Sequence, residues 1–172
     1  MIPLRVRTVG KKRVCISGIN SLLADCLFAL PEILEKRDSP AARTRLFPNP
    51  IATDEKANDD WQRLVAPELR HLFSSAGETV ARDLTQLERD PDNPEHSRVT
   101  FAAEHVNAWM SALNQARLIL GELFKLAEKD MENADLDLSD PKHLALLRIH
   151  VLGYLLQLFV ELESGDGAES NL

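Results

Sequence analysis

The chain has 172 residues, 44% of them hydrophobic and 27% charged, with a formal net charge of −7. That length suits one domain with a genuine core, and that balance is the ordinary one of a soluble protein. The charge is uneven: Arg5, Arg7, Lys11, Lys12 and Arg13 meet no acid within the first twenty residues, which leaves −12 for the remainder and excludes a uniformly basic nucleic-acid binder while leaving a local basic arm.

The predicted elements begin with a β-hairpin over residues 1–17. Ile2, Leu4 and Val6 alternate with Arg5 and Arg7, the period of a strand with one wet face. Gly10-Lys11-Lys12 reads as its turn, and Val14, Cys15 and Ile16 as its return. The same alternation, in place of an apolar run, is read as the absence of a signal peptide. A hairpin alone is marginal in water, so its apolar face is expected to pack on helices.

Asn20 or Ser21 then caps a helix to about Lys36, with Leu22, Leu23, Cys26, Leu27, Leu30 and Leu34 on its buried side and a kink at Pro31. The stretch DSPAARTRLFPNPIAT, with Pro40, Pro48 and Pro50, reads as a linker anchored by Leu46 and Phe47. Asp54 caps a short helix through Trp61, Leu64 and Val65. Pro67 opens a further helix to about Arg89, and DPDNPEHSR follows as an exposed loop.

Thr100 is the expected cap of a central helix over about 101–127, on which Ala102, His105, Trp109, Ala112, Leu113, Ala116, Ile119, Leu120, Leu123, Phe124 and Ala127 spread over nearly half the circumference. A surface helix needs a narrower stripe, so this one is expected to be touched by several others, with Gly121 at a close crossing. Leu118 falls on its polar side; it reads either as a single exposed leucine, which is ordinary, or as one covered by Leu46 and Phe47 or, failing that, by a second copy of the chain. After an acidic connector, Asp140-Pro141 opens a last helix to about Leu162. Leu144 to Leu162 has the length of a membrane span, but Arg148, His150, Gln157 and Glu161 make insertion costly, so no membrane is expected. The resulting expectation is a mainly α fold, about five helices packed round the central one with an N-terminal hairpin: a single domain over 1–162, with 163–172 as a disordered acidic tail.

The order of these segments resembles a bacterial family whose members are mostly labelled as proteins of unknown function. The resemblance rests on Arg45-Leu46-Phe47-Pro48 followed by acids, on Trp61-Gln62-Arg63-Leu64, on the block from Ala108 to Gly121 (AWMSALNQARLILG) and on the last apolar helix from Tyr154 to Leu162. Glu122-Leu123 departs from it, a basic residue being expected after Gly121. The resemblance implies a family in which some members carry the label of an oxidative-stress transcriptional regulator and some are encoded near an adaptor of the Clp protease, without assigning a role to any residue.

Chemistry is sparse. No phosphate-binding glycine loop, GxSxG or HExxH pattern occurs, and no cofactor is implied. Five residues of the last helix, His143, His150, Tyr154, Gln157 and Glu161, share about a sixth of its circumference; they read either as a polar seam lining a pocket or metal site or, more plainly, as the wet edge of a buried helix. His143 and His150 are two turns apart, roughly 10 Å, too far to share a metal directly. Arg117 is read as paired with a carboxylate near Asp59-Asp60 rather than with a bound anion, and Asn114 as bonded to loop backbone. The basic residues Arg5, Arg7, Lys11, Lys12 and Arg13 are the candidate contact for a partner or, more plainly, a solvated hairpin or one pairing with the acidic C-terminal half, and Cys15 is the candidate thiol; Cys15 and Cys26, eleven apart, form no CxxC motif, and no disulfide between them is expected. The leading reading is a non-enzymatic cytosolic regulatory or adaptor domain, monomeric or homodimeric, acting through an unidentified protein partner. The alternative is a redox-responsive transcription regulator that binds DNA through the hairpin; DNA is the less favoured partner because no aromatic interleaves the charges.

Overall fold

The computed structural model describes residues 3–132 and 136–165. Strands β1 (Arg5–Val9) and β2 (Arg13–Ile19) form the expected hairpin, with Gly10 in a left-handed turn conformation at φ 64°. The expectation for Ile2 lies outside the described residues. Four helices follow: α1 (Ser21–Phe28), α2 (Leu30–Glu35), α3 (Pro40–Leu46) and α4 (Glu55–Leu64). After α5 (Ala66–Leu84) come β3 (Glu88–Asp90), β4 (Asn93–Ala102), α6 (Val106–Leu123), α7 (Glu128–Met131) and α8 (Pro141–Ser164).

The mainly α expectation is overturned. The four strands make one antiparallel sheet in the order β1-β2-β4-β3, so the fold is mixed α and β. Most of the segment assigned to an exposed loop, together with the start of the assigned central helix, is strand β4. Thr100 caps nothing; it pairs with Cys15, while Val99 pairs with Ile16 and Phe101 with Val14. The hairpin's return strand offers a free edge, and satisfying those backbone groups with a long partner outweighs the helical period read through Ala102 and His105. The central helix therefore starts only at Val106, after a 3₁₀ turn over Ala103–His105.

Other boundaries moved for local reasons. The helix expected from Ser21 to Lys36 breaks at Ala29, because Pro31 fits the first turn of a new helix better than the interior of an old one. Part of the expected linker is α3, with Pro40 in its first turn and Ser39 Oγ accepting the Ala42 N–H at 3.3 Å. Asn20, Asp54 and Asp140 cap α1, α4 and α8 as the sequence indicates.

Inward residues of the sheet, Val14, Ile16, Val99 and Phe101, meet the helices in one core. Trp109, wholly buried, stacks on Phe101 at 4.9 Å and lies 6.0 Å from Phe159 of α8. Helix α8 has the length and composition of a membrane span, yet it lies along α6 and buries Ala145, Leu146, Ile149, Leu152, Leu155 and Phe159. Helix α3 packs on another side of α6, whose Leu118 is half-buried. Helix α8 runs to Ser164, so the assigned tail overlaps it; residues 166–172 of that tail lie outside the described residues.

Candidate functional site

The polar seam of α8 does not act as one unit. His143 is spent on the loop before the helix, its Nδ1 accepting the Asp137 N–H at 3.1 Å. One turn apart, Gln157 donates to Glu161 at 2.9 Å. Among the seam residues, His150 and Tyr154 border two hollows, and Gln157 borders one of them. The first, about 470 Å³, is lined mostly by apolar groups including Pro3, Leu4, Leu22 and Val151, with His96 of β4 facing the α8 pair. Nδ1 of His96 is buried and has no hydrogen-bond partner among the described residues. His96 was missed from the sequence because it sat in the segment read as a loop. No group of three or more His, Cys, Asp or Glu suited to a metal occurs among the described residues.

On the other side of the same pair is a hollow of about 520 Å³, lined by Arg117, Met131, Ile149, His150, Gly153, Tyr154 and Gln157. Arg117 also borders a smaller one of about 240 Å³ that brings in Arg45, Asn114 and Glu122. The pairing expected for Arg117 is absent: Asp60 holds Arg63 instead, at 3.1 Å. Asn114 is exposed at the hollow and bonds no loop backbone among the described residues. Gly121 marks no crossing, since a side chain there would meet nothing within 4 Å; the close approaches are at Gly77, beside Arg37 and Leu34, and at Gly153, beside Arg117.

The basic hairpin gives a third arrangement. Strand alternation and the register Arg5↔Ser17 and Arg7↔Cys15 put Arg5, Arg7, Arg13, Cys15 and Ser17 on the sheet face turned away from the helices. Arg98 of β4 joins them, unforeseen because its strand was unforeseen, and pairs with Glu88 at 2.8 Å; that hydrogen-bonded carboxylate raises its pKa. Lys11 and Lys12 sit in the turn. Arg5, Arg7 and Arg13 have no ion pair among the described residues, although Asp90 and Asp92 share a hollow of about 350 Å³ with Arg5 and Arg7. Cys15 is buried within this outward face, flanked across the strands by Arg7 and Thr100. Cys26 is buried on α1, where desolvation pushes its thiol pKa up; both thiols are free.

A further polar cluster escaped the sequence. Asp83, near the end of α5, is buried and accepts from Trp109 Nε1 at 2.9 Å, while His105 Nδ1 lies 3.0 Å from each of its oxygens. The pair could orient an imidazole, but none of the hollows above is lined by Asp83, His105 or Trp109. It clasps the end of α5 to the start of α6.

Fold and hollows together define a mixed α and β domain with several surface hollows. The chain belongs to the family DUF2017, a domain of unknown function, whose model matches residues 16–162. No curated protein and no solved structure matches the chain. The match includes the Arg117 hollows and begins after β1 and Cys15.

Proposed function

We propose that this is a non-enzymatic cytosolic regulatory or adaptor domain that acts by docking an acidic segment of a partner protein on the outward face of its sheet. The observation that supports the reading is the grouping of Arg5, Arg7 and Arg13, without ion-pair partners among the described residues, on one exposed sheet face of an otherwise acidic chain. Such a face steers an oppositely charged partner and sets its register. Glu88, Asp90 and Asp92 bound the positive field at the β3 side, which suits a short acidic protein segment better than a continuous phosphate backbone.

The same arginines carry the second reading, DNA binding that responds to oxidation of Cys15. One experiment separates the two. Wild type and an Arg5→Glu/Arg7→Glu/Arg13→Glu variant are immobilised and exposed to native lysate and, separately, to duplex DNA with and without peroxide. Proteins retained by wild type and lost by the variant support docking. Equal retention by both overturns it, and peroxide-sensitive retention of DNA by wild type alone establishes the alternative.

A further inference from the structure

Arg117 is held in an unusual way for an arginine with no carboxylate paired to it among the described residues. Its guanidinium lies flat against α8 at Gly153: a Cβ on that glycine would come within 3.2 Å of Nε, 3.3 Å of Cζ and 3.5 Å of Nη2. The Nε atom is buried and has no hydrogen-bond partner, and no carboxylate pairs with the side chain among the described residues. A guanidinium stays charged at any physiological pH, so taking its N–H groups out of water without an acceptor is costly.

Arg37 shows what an ordinary buried arginine looks like in the same chain. Its Nε is also unsatisfied, but Nη1 donates to Ser74 Oγ at 2.7 Å, and Asp38 and Glu78 lie near enough to favour its charge. Around Arg117 the neighbours are of the opposite kind. Arg45, at the end of α3, shares its smaller hollow, where Glu122 is the one acid. His150, Tyr154 and Gln157 line the larger hollow beside the apolar Met131 and Ile149. Its volume, about 520 Å³, falls in the range that encloses small molecules.

We propose that the cleft between α6 and α8, centred on Arg117, binds a small oxyanionic ligand, whose carboxylate or phosphate group accepts from the Arg117 fork while its apolar body rests on Met131 and Ile149. Arg45 adds positive charge at one end, and the Tyr154 hydroxyl and the His150 ring add polar contacts at the other. Gly153 is the enabling residue, because a Cβ there would force the guanidinium to give by a few tenths of an ångström and so shift the fork from its place in the cleft.

The test uses the full chain, labelled with ¹⁵N, and two probes: inorganic phosphate and acetate, each added at constant ionic strength against sodium chloride. The Arg117 Nε–Hε cross-peak, assigned by its loss in Arg117→Gln, is expected to shift saturably with one probe. Saturation with phosphate alone identifies a phosphate-bearing ligand, and with acetate alone a carboxylate-bearing one. Gly153→Ala should weaken the binding by about tenfold or more, as the loss of a charge-assisted hydrogen bond implies. The anion should also raise the melting temperature of wild type and not that of Arg117→Gln. A cross-peak that shifts saturably with neither probe, or an equal anion-dependent rise in both proteins, overturns the proposal. If Arg117→Gln does not fold, the wild-type and Gly153→Ala titrations, read on the whole spectrum, decide it alone: saturable shifts weakened by the alanine support it, and unsaturable or unaltered ones overturn it.

Discussion

The two faces of the sheet come from the same strands, in alternation, and have opposite fates. Val14, Ile16, Val99 and Phe101 point inward and are almost fully buried beneath the helices. Arg5, Arg7 and Arg13 point outward and are exposed, with Cys15 hidden among their neighbours. A one-residue slip of either hairpin strand would exchange the two sets, so burial of the inner face fixes the register that gathers the arginines. The basic face is thus a by-product of core packing: its placement is dictated by hydrophobic burial, and its function by what charge does once placed there.

The largest effects should lie on the inner side. Trp109→Ala removes the ring stacked on Phe101 and one donor to the buried Asp83, and is expected to cost about 3–5 kcal/mol in denaturant melts. A loss under about 1 kcal/mol would show that the inner face does not depend on this aromatic cluster.

Gly18 joins the two sides. It sits at φ 76°, and a Cβ there would collide with the Pro3 carbonyl oxygen. Gly18→Ala should therefore cost about 1–3 kcal/mol, read from the same melts. An unchanged midpoint would mean that the entry to β1 moves freely and that the register is held elsewhere.

The thiols sharpen the contrast through pH. Burial raises the Cys26 pKa, so the folded state resists ionisation that the unfolded chain undergoes. With the folded value above the unfolded one, the contribution is fully present below the ordinary thiol value and is lost as pH rises through the raised one. Cys26→Ala should flatten the alkaline part of the stability profile, measured by urea melts across pH; an identical alkaline slope in the variant would assign it to other groups.

The smallest effects belong to the outer face. Arg5→Gln, Arg7→Gln and Arg13→Gln should each change stability by no more than about 0.5 kcal/mol, since none holds an ion pair among the described residues. Their effect is expected in partner binding alone. A destabilisation comparable to that of Trp109→Ala would make the outer face structural and break the comparison.

How much was legible follows from the range of each signal. Caps and first-turn prolines act over three or four residues, and Asp54, Asp140 and the hairpin turn could be read directly. Strand β4 could not: its inward pair, Val99 and Phe101, is too short a pattern to outweigh the prolines before it and the helical period after it. What makes it a strand is the free edge of β2, some eighty residues earlier. Missing it hid Arg98 and His96, and with them one arginine of the basic face and one wall of the 470 Å³ hollow. Arg117 was singled out from its place beside the apolar arc, but the expected carboxylate was assigned from the wrong part of the chain, because sequence spacing says nothing about which side chains converge.

Local periodicity and composition sufficed for the hairpin, the caps of α1, α4 and α8, the burial of α6 and α8 and the concentration of positive charge at one end. Long-range packing set the rest: four strands form one sheet, the arginines share its outer face, and Arg117 rests on Gly153 with no carboxylate paired to it among the described residues. Those outcomes depend on contacts between residues far apart in the chain, where backbone hydrogen bonding and packing are satisfied together and no local pattern records the result.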